Sequence, residues 1–167
     1  MDTRNEGLLI SSLVLAILTP VAFFAFKQPV LAGLTAVGSL IAYRYAEGES
    51  SKTSLTDLDE LKLVYSQKSI ETLLLLTAVT APSVSKPLAV ATLLLIFLGE
   101  TIRDEAEAVS KTVITPYAGF ELRTLVIGIG LLGQTVAAYS LFYSLVLVAV
   151  LTLYEITRTL RTSLATL

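Results

Sequence analysis

The chain has 167 residues, of which 54% are hydrophobic and 16% charged, with a formal net charge of −2 and a mean hydropathy of +0.75. Soluble domains carry about 25% charged residues, so a chain of about one domain's length, built from apolar runs with charges clustered between them, reads as a protein whose solvent is mostly lipid. Histidine and cysteine are absent, which excludes zinc ligand sets, histidine-held haem, Ser-His and Cys-His catalysis, and disulfides.

Span 1 is expected over about 7–26, "GLLISSLVLAILTPVAFFAF". It reads as a retained helix. The preceding "MDTRNEG" holds one Arg against Asp2 and Glu6, the apolar run is longer than a signal h-region, and no small-x-small cleavage site follows. "KQP" at 27–29 is a tight outer turn, and span 2 follows over about 30–46. The segment 47–68 begins as a loop, "EGESSKT". Its second part predicts a short amphipathic helix over about 54–66. Ser54 with Asp57 three residues on resembles a capping box, and Leu55, Leu58, Leu61 and Tyr65 recur at helical spacing. Such a helix rests its apolar side on the bundle or lies on the membrane interface.

Span 3 is expected over about 69–84 and span 4 over about 87–102, joined by the outer turn "PSVSKP". Span 4 continues as a charged helix into the segment 103–121. There Glu100, Asp104, Glu107 and Lys111 share a face, Arg103 can pair with Glu107, and Pro116 and Gly119 end the helix. The region 122–157 is too long for one crossing. A turn at "AAYSLFYS", 137–144, divides it into span 5, about 122–138, and span 6, about 141–158. The alternative is five spans, with 122–157 a single tilted helix. Six spans put ten basic residues on one side and only Lys27 and Lys86 on the other. That positive-inside bias predicts cytoplasmic N- and C-termini. The expected fold is all-α: one integral membrane domain over 1–167, a bundle of six transmembrane helices arranged as three hairpins.

"VIGIGLLGQT", residues 126–135, holds Gly128, Gly130 and Gly133 in the spacing G-x-G-x-x-G. A dinucleotide-binding turn needs a strand before it and a helix opening from it. These glycines lie inside an apolar run instead, so they are assigned with Gly33 to close helix packing, and no cofactor is expected. Spacings of two and three put Gly130 and Gly133 near one another and turn Gly128 elsewhere. Gln134 is the one amide or charge expected well inside a span, there for a single interhelical hydrogen bond. Glu71 and Glu100 are expected near cytoplasmic ends, within reach of water.

The acidic clusters Asp57, Asp59, Asp104 and Glu105 are the available magnesium ligands, for chemistry on a phosphorylated lipid precursor. The expectation is a solvated rim, with the carboxylates satisfied by Arg103, Lys62 or Lys111. The order of elements, together with "TPYAGFELRTLVIGIGLLGQ", span 6 and "YEITRTLRT", resembles the CDP-alcohol phosphatidyltransferases over roughly residues 100–162. That resemblance implies six spans, cytoplasmic termini and a lipid-phosphate chemistry. The family's D-G-x-x-A-R signature is absent, since the chain has no Asp-Gly pair and only "TDLDE" in that region. No catalytic residue carries over. The expected function is therefore a structural, accessory or assembly role in the cytoplasmic membrane. The alternatives are a small oligomeric transporter or channel, and a degenerate lipid transferase. The expected partners are membrane lipids and other membrane subunits or further copies of the chain, not nucleic acid.

Overall fold

The computed structural model describes residues 3–50, 56–110 and 119–165. They form six helices and, among the described residues, no strand. The helices are α1 (Thr3–Pro20), α2 (Pro29–Ser50), α3 (Asp57–Thr80), α4 (Lys86–Ser110), α5 (Phe120–Gly133) and α6 (Ser140–Ala165).

Helix α1 does not stop at Pro20. It continues as a π-helical turn over Val21–Ala25. A proline has no N–H to give and crowds the carbonyl four residues back, so the helix widens there instead of holding the α pattern. The turn closes with Gln28 N–H donating to the Ala22 carbonyl at 3.0 Å. Lys27 sits inside this closure at φ +54°. That left-handed conformation is normally a glycine's, and it costs a lysine about 1–2 kcal/mol.

Three boundaries differ from those read in the sequence. Helix α2 runs on through Glu47–Ser50, where a loop was expected. The expected amphipathic helix and span 3 are a single helix, α3, because no proline or glycine interrupts Asp57–Thr80. Its capping box lies two residues later than Ser54/Asp57, and Ser54 itself is outside the described residues. Asp59 N–H donates to the Thr56 hydroxyl oxygen at 3.3 Å, and Thr56 N–H donates to the Asp59 carboxylate at 3.3 Å. Asp57, Asp59 and Glu60 then fill the first turn, where the helix dipole favours negative charge. Finally, Phe120–Ala165 is two helices, not the single one of the five-span alternative. The break falls at 134–139, earlier than 137–144. The Gly133 carbonyl accepts from Val136 and Ala137 there, at 3.0 and 2.8 Å, and turns the chain.

Helices consecutive in the chain run antiparallel, which gives the bundle a charged end (Glu6, Glu47, Lys62, Lys68, Glu100, Glu121) and a turn end (Lys27, Ser83, Gln134). Helix α1 packs on α2 and α3, α2 on α5, α5 on α6, and α6 on α4. Helices α3 and α4 share a tight turn but touch only sparsely along their length.

The interior mixes large apolar side chains, such as Ile70, Leu74, Ile127, Leu131 and Leu145, with many small and hydroxylated ones. Ala16, Ala32, Ala36, Ala78, Ser12 and Ser39 are buried, as are Thr19, Thr77, Thr92 and Thr152. The hydroxyls bond back to carbonyls of their own helices, as Thr92 does to Leu88 at 2.9 Å. Thr19 and Thr35 also join α1 to α2 at 3.0 Å. The exterior carries the large apolar groups: Ile10, Ile17, Ile41, Leu94, Phe97 and Val150 are all exposed, Phe97 at 72%. Two helical stretches, Arg4–Ala25 and Ser140–Thr162, are long and apolar enough to cross a membrane.

Candidate functional site

Four charged side chains from three helices meet inside the charged half of the bundle. Lys68 and Glu71 lie three residues apart on α3 and so share a face. Arg123, in the first turn of α5, donates from Nε to Glu71 Oε1 at 2.6 Å and from Nη2 to Glu100 Oε1 of α4 at 3.0 Å. Lys68 Nζ takes the other Glu100 oxygen at 2.5 Å. Both side chains of the Arg123–Glu71 pair are almost fully enclosed, at 4% and 6% exposure. Glu100 is partly open. Two cations and two carboxylates leave the cluster neutral, and every one of the four is paired. Charges this deep are tolerated only when paired and hydrogen-bonded. One turn further along α4, Arg103 lies 3.9 Å from Glu155 of α6 and 4.0 Å from Glu107, a looser link to the fourth helix.

The network was not read from the sequence. Glu71 and Glu100 are both expected near helix ends within reach of water; Glu100 stays partly open, but Glu71 is buried, and both bond Arg123. The signal was there in outline. Each acidic residue interrupts an apolar run ("SIETLLLL" and "IFLGETI"), and an arginine opens the next one.

The acidic metal candidates do not converge in this way. Asp59 serves the capping box, where the Thr56 hydroxyl donates to its carboxylate at 2.8 Å and holds that carboxyl below its ordinary range. Asp57 and Glu105 are exposed, and Asp104 lies 3.8 Å from Arg103. Lys62 pairs with Glu6 at 2.6 Å, a hydrogen bond that raises the lysine above its usual value. Lys111 lies outside the described residues. Among the described residues, no three His, Cys, Asp or Glu side chains are placed to hold a metal ion. Millimolar magnesium is therefore expected to shift the melting temperature of wild type and of Asp59→Asn/Asp104→Asn equally. A rise of several degrees confined to wild type would establish a metal site.

The glycines sit at two helix crossings. A Cβ on Gly33 would lie 2.8 Å from the Leu132 backbone nitrogen and 2.9 Å from the Gly128 carbonyl oxygen. Gly128 faces back toward Val37, so α2 and α5 touch backbone to backbone. Gly130 and Gly133 face α6 instead, against Ser144 and Ser140. Gln134 is not inside a span. It caps α5 at the turn end, where its Nε2 donates to Ser83 Oγ at 2.6 Å and ties the α5–α6 turn to the α3–α4 turn. Gly133 ends the helix just before it.

Two clefts open beside these features. One, about 420 Å³, lies between α1 and α3 among Leu9, Ile10, Leu13 and Leu61, with the Glu6–Lys62 pair on its wall. The other, about 430 Å³, lies at the turn end, where residues of all three hairpin turns meet. No protein-family model, curated protein or solved structure matches the chain.

Proposed function

We propose that this chain is a six-span integral protein of the cytoplasmic membrane with both termini inside, and that it serves a structural, accessory or assembly role there. The observation that carries the membrane reading is the apolar exterior. Alanine, serine and threonine make up much of the interior, among leucines and isoleucines such as Ile70, Leu74 and Leu131, while many large apolar side chains, Ile10, Leu94 and Phe97 among them, face outward. A soluble bundle covers most such groups, because their burial drives its folding. In lipid that drive is absent, and small residues let helices approach closely. Orientation rests on the division of basic residues, which is eight against two once Lys68 and Arg123, both in the charge network, are set aside.

Helix rise sets the depth of the charge network. Glu71 lies nine residues before the end of α3 and Arg123 ten before the end of α5, about 14–15 Å from the turn end. In a hydrocarbon layer about 30 Å thick, that is close to mid-depth. A neutral, fully paired cluster at that level suits a clamp joining α3, α4 and α5. A second reading, a small transporter or channel, is favoured by the partly open Glu100. It connects the enclosed pair to Lys68 at the surface, and ionisable groups at depth mark many ion pathways.

The chain has no native cysteine, so topology can be tested with single introduced thiols. Asp57→Cys and Glu105→Cys are expected to react with an impermeant maleimide only after the cells are opened. Ser85→Cys is expected to react on intact cells. Labelling of Glu105→Cys from outside, or release of the chain by alkaline carbonate, would sink the proposal. Proteoliposomes that pass no protons or monovalent cations support the structural role over the transport one.

A further inference from the structure

The turn-end cleft is lined by Phe23, Phe24, Lys27, Pro82, Ser83 and Gln134, among others, and its volume is about 430 Å³. Two features meet there, the π turn with the Lys27 closure that ends it and a polar tie between turns. The helix entering it is widened into a π turn, a feature that recurs at functional sites. Lys27 is held in the left-handed region where glycine would fit without strain, and such outliers cluster at ligand sites. The cleft is also lined by a polar tie between hairpin turns, Gln134 to Ser83.

From these we infer that the cleft binds the phosphate of an anionic phospholipid carrying one net negative charge. The inference rests on the membrane reading above. Lys27 is exposed and makes no ion pair or hydrogen bond among the described residues. Its ammonium offers three donors, and Ser83, while accepting from Gln134, still has its own proton to donate. No carboxylate lines the cleft. A phosphate with one charge complements this single cation, whereas the amine of a zwitterionic headgroup meets no carboxylate. The rings of Phe23 and Phe24, the latter 45% exposed, flank the cation with apolar surface for the glycerol and upper acyl chain. The α1–α3 cleft differs in kind, because its Glu6–Lys62 pair is already neutral.

The test is binding of a fluorescent phosphatidylglycerol to the purified full chain in a non-ionic detergent, with phosphatidylcholine as comparison. Phosphatidylglycerol is expected to bind about fivefold more tightly, the preference one lysine supplies beside anionic headgroups. Lys27→Gln and Lys27→Gly should both lose that preference. The glycine variant should keep or raise the melting temperature, which separates lost binding from lost folding. Lys86→Gln, at the same end but outside the cleft lining, should keep the preference. Equal binding of the two lipids overturns the inference, as does an equal loss in Lys86→Gln. Displacement of the lipid by millimolar inorganic phosphate would assign the site to a soluble anion and overturn it too. A chain recovered soluble without detergent would remove the membrane reading and this inference together. A membrane-bound chain with no lipid preference removes only the inference.

Discussion

Arg123→Leu is expected to lower the melting temperature in detergent by about 6–20 °C, the largest effect of any single polar substitution in the chain. The substitution leaves Glu71 enclosed with no cation, since its carboxylate accepts from Arg123 Nε at 2.6 Å. Breaking a buried pair from one side costs about 3–5 kcal/mol, because the remaining charge must be desolvated alone or take up a proton. Glu100 is less affected, since Lys68 still holds its other oxygen. The double variant Arg123→Leu/Glu71→Leu should therefore recover much of the loss, because replacing both partners with apolar groups removes the stranded charge. Thermal unfolding of both single variants and the double variant gives the coupling directly. If the losses simply add, the two side chains do not act as a pair and the clamp is wrong. Lys68→Met should cost less, since Lys68 holds only Glu100, whose other oxygen Arg123 still takes.

Gly33→Ala is expected to be nearly as damaging, although it adds a single methyl group. The added Cβ would meet backbone atoms of α5 at 2.8 and 2.9 Å. Backbone cannot rotate away as a side chain can, so α2 and α5 must separate along their whole contact. Overpacking of this kind costs about 1–3 kcal/mol, which corresponds to about 2–12 °C in melting temperature. Gly130→Ala meets Ser144 Oγ and the Ser144 Cβ at 2.7 Å, and Gly133→Ala meets Ser140 Oγ and the Ser140 Cβ at 3.0 Å. The hydroxyls can turn but the Ser144 Cβ cannot, so Gly33→Ala and Gly130→Ala should lose comparably and Gly133→Ala least. Gly48→Ala is the internal control, with no atom within 4 Å of its Cβ. It should be neutral or slightly stabilising, because alanine suits a helix interior better than glycine. A Gly48→Ala loss matching that of Gly33→Ala would show that the melting temperature reports helix propensity and not the crossing.

The glycine stretch shows how far local pattern reaches. Spacing places Gly130 and Gly133 on one side of a helix and Gly128 on another. It does not say that one side meets α2 and the other α6, because that depends on how separate helices cross. Boundaries show the same division. Helix existence follows from apolar runs bounded by "KQP", "PSVSKP" and Gly119. The lengths of α2 and α3 follow from what the charged residues at their ends do. Glu47 stays helical with Arg44 beside it at 2.5 Å. Asp59, not Asp57, closes the cap, because the helix begins at the residue after Thr56.

Composition and pattern by themselves raised the expectation of a lipid solvent and determined the all-helical build and the absence of histidine and cysteine. Those are properties of residue counts and of periodicity within about twenty residues, and they need no partner. Only the tertiary structure decided that Glu71, Glu100, Lys68 and Arg123 form one neutral cluster, and that Lys27, Ser83 and Gln134 share one cleft. Apart from Lys68 and Glu71, which are one turn apart on α3, the residues lie 23 to 107 positions apart, and each taken alone is an ordinary charge or polar group. Whether such a group reaches water or a counter-ion depends on which helices pack together, and here α4 packs more fully on α6 than on its chain neighbour α3. That choice comes from the fit of small faces such as Gly99 against Thr152 and Ile156, a matter of shape between distant segments that no local pattern encodes.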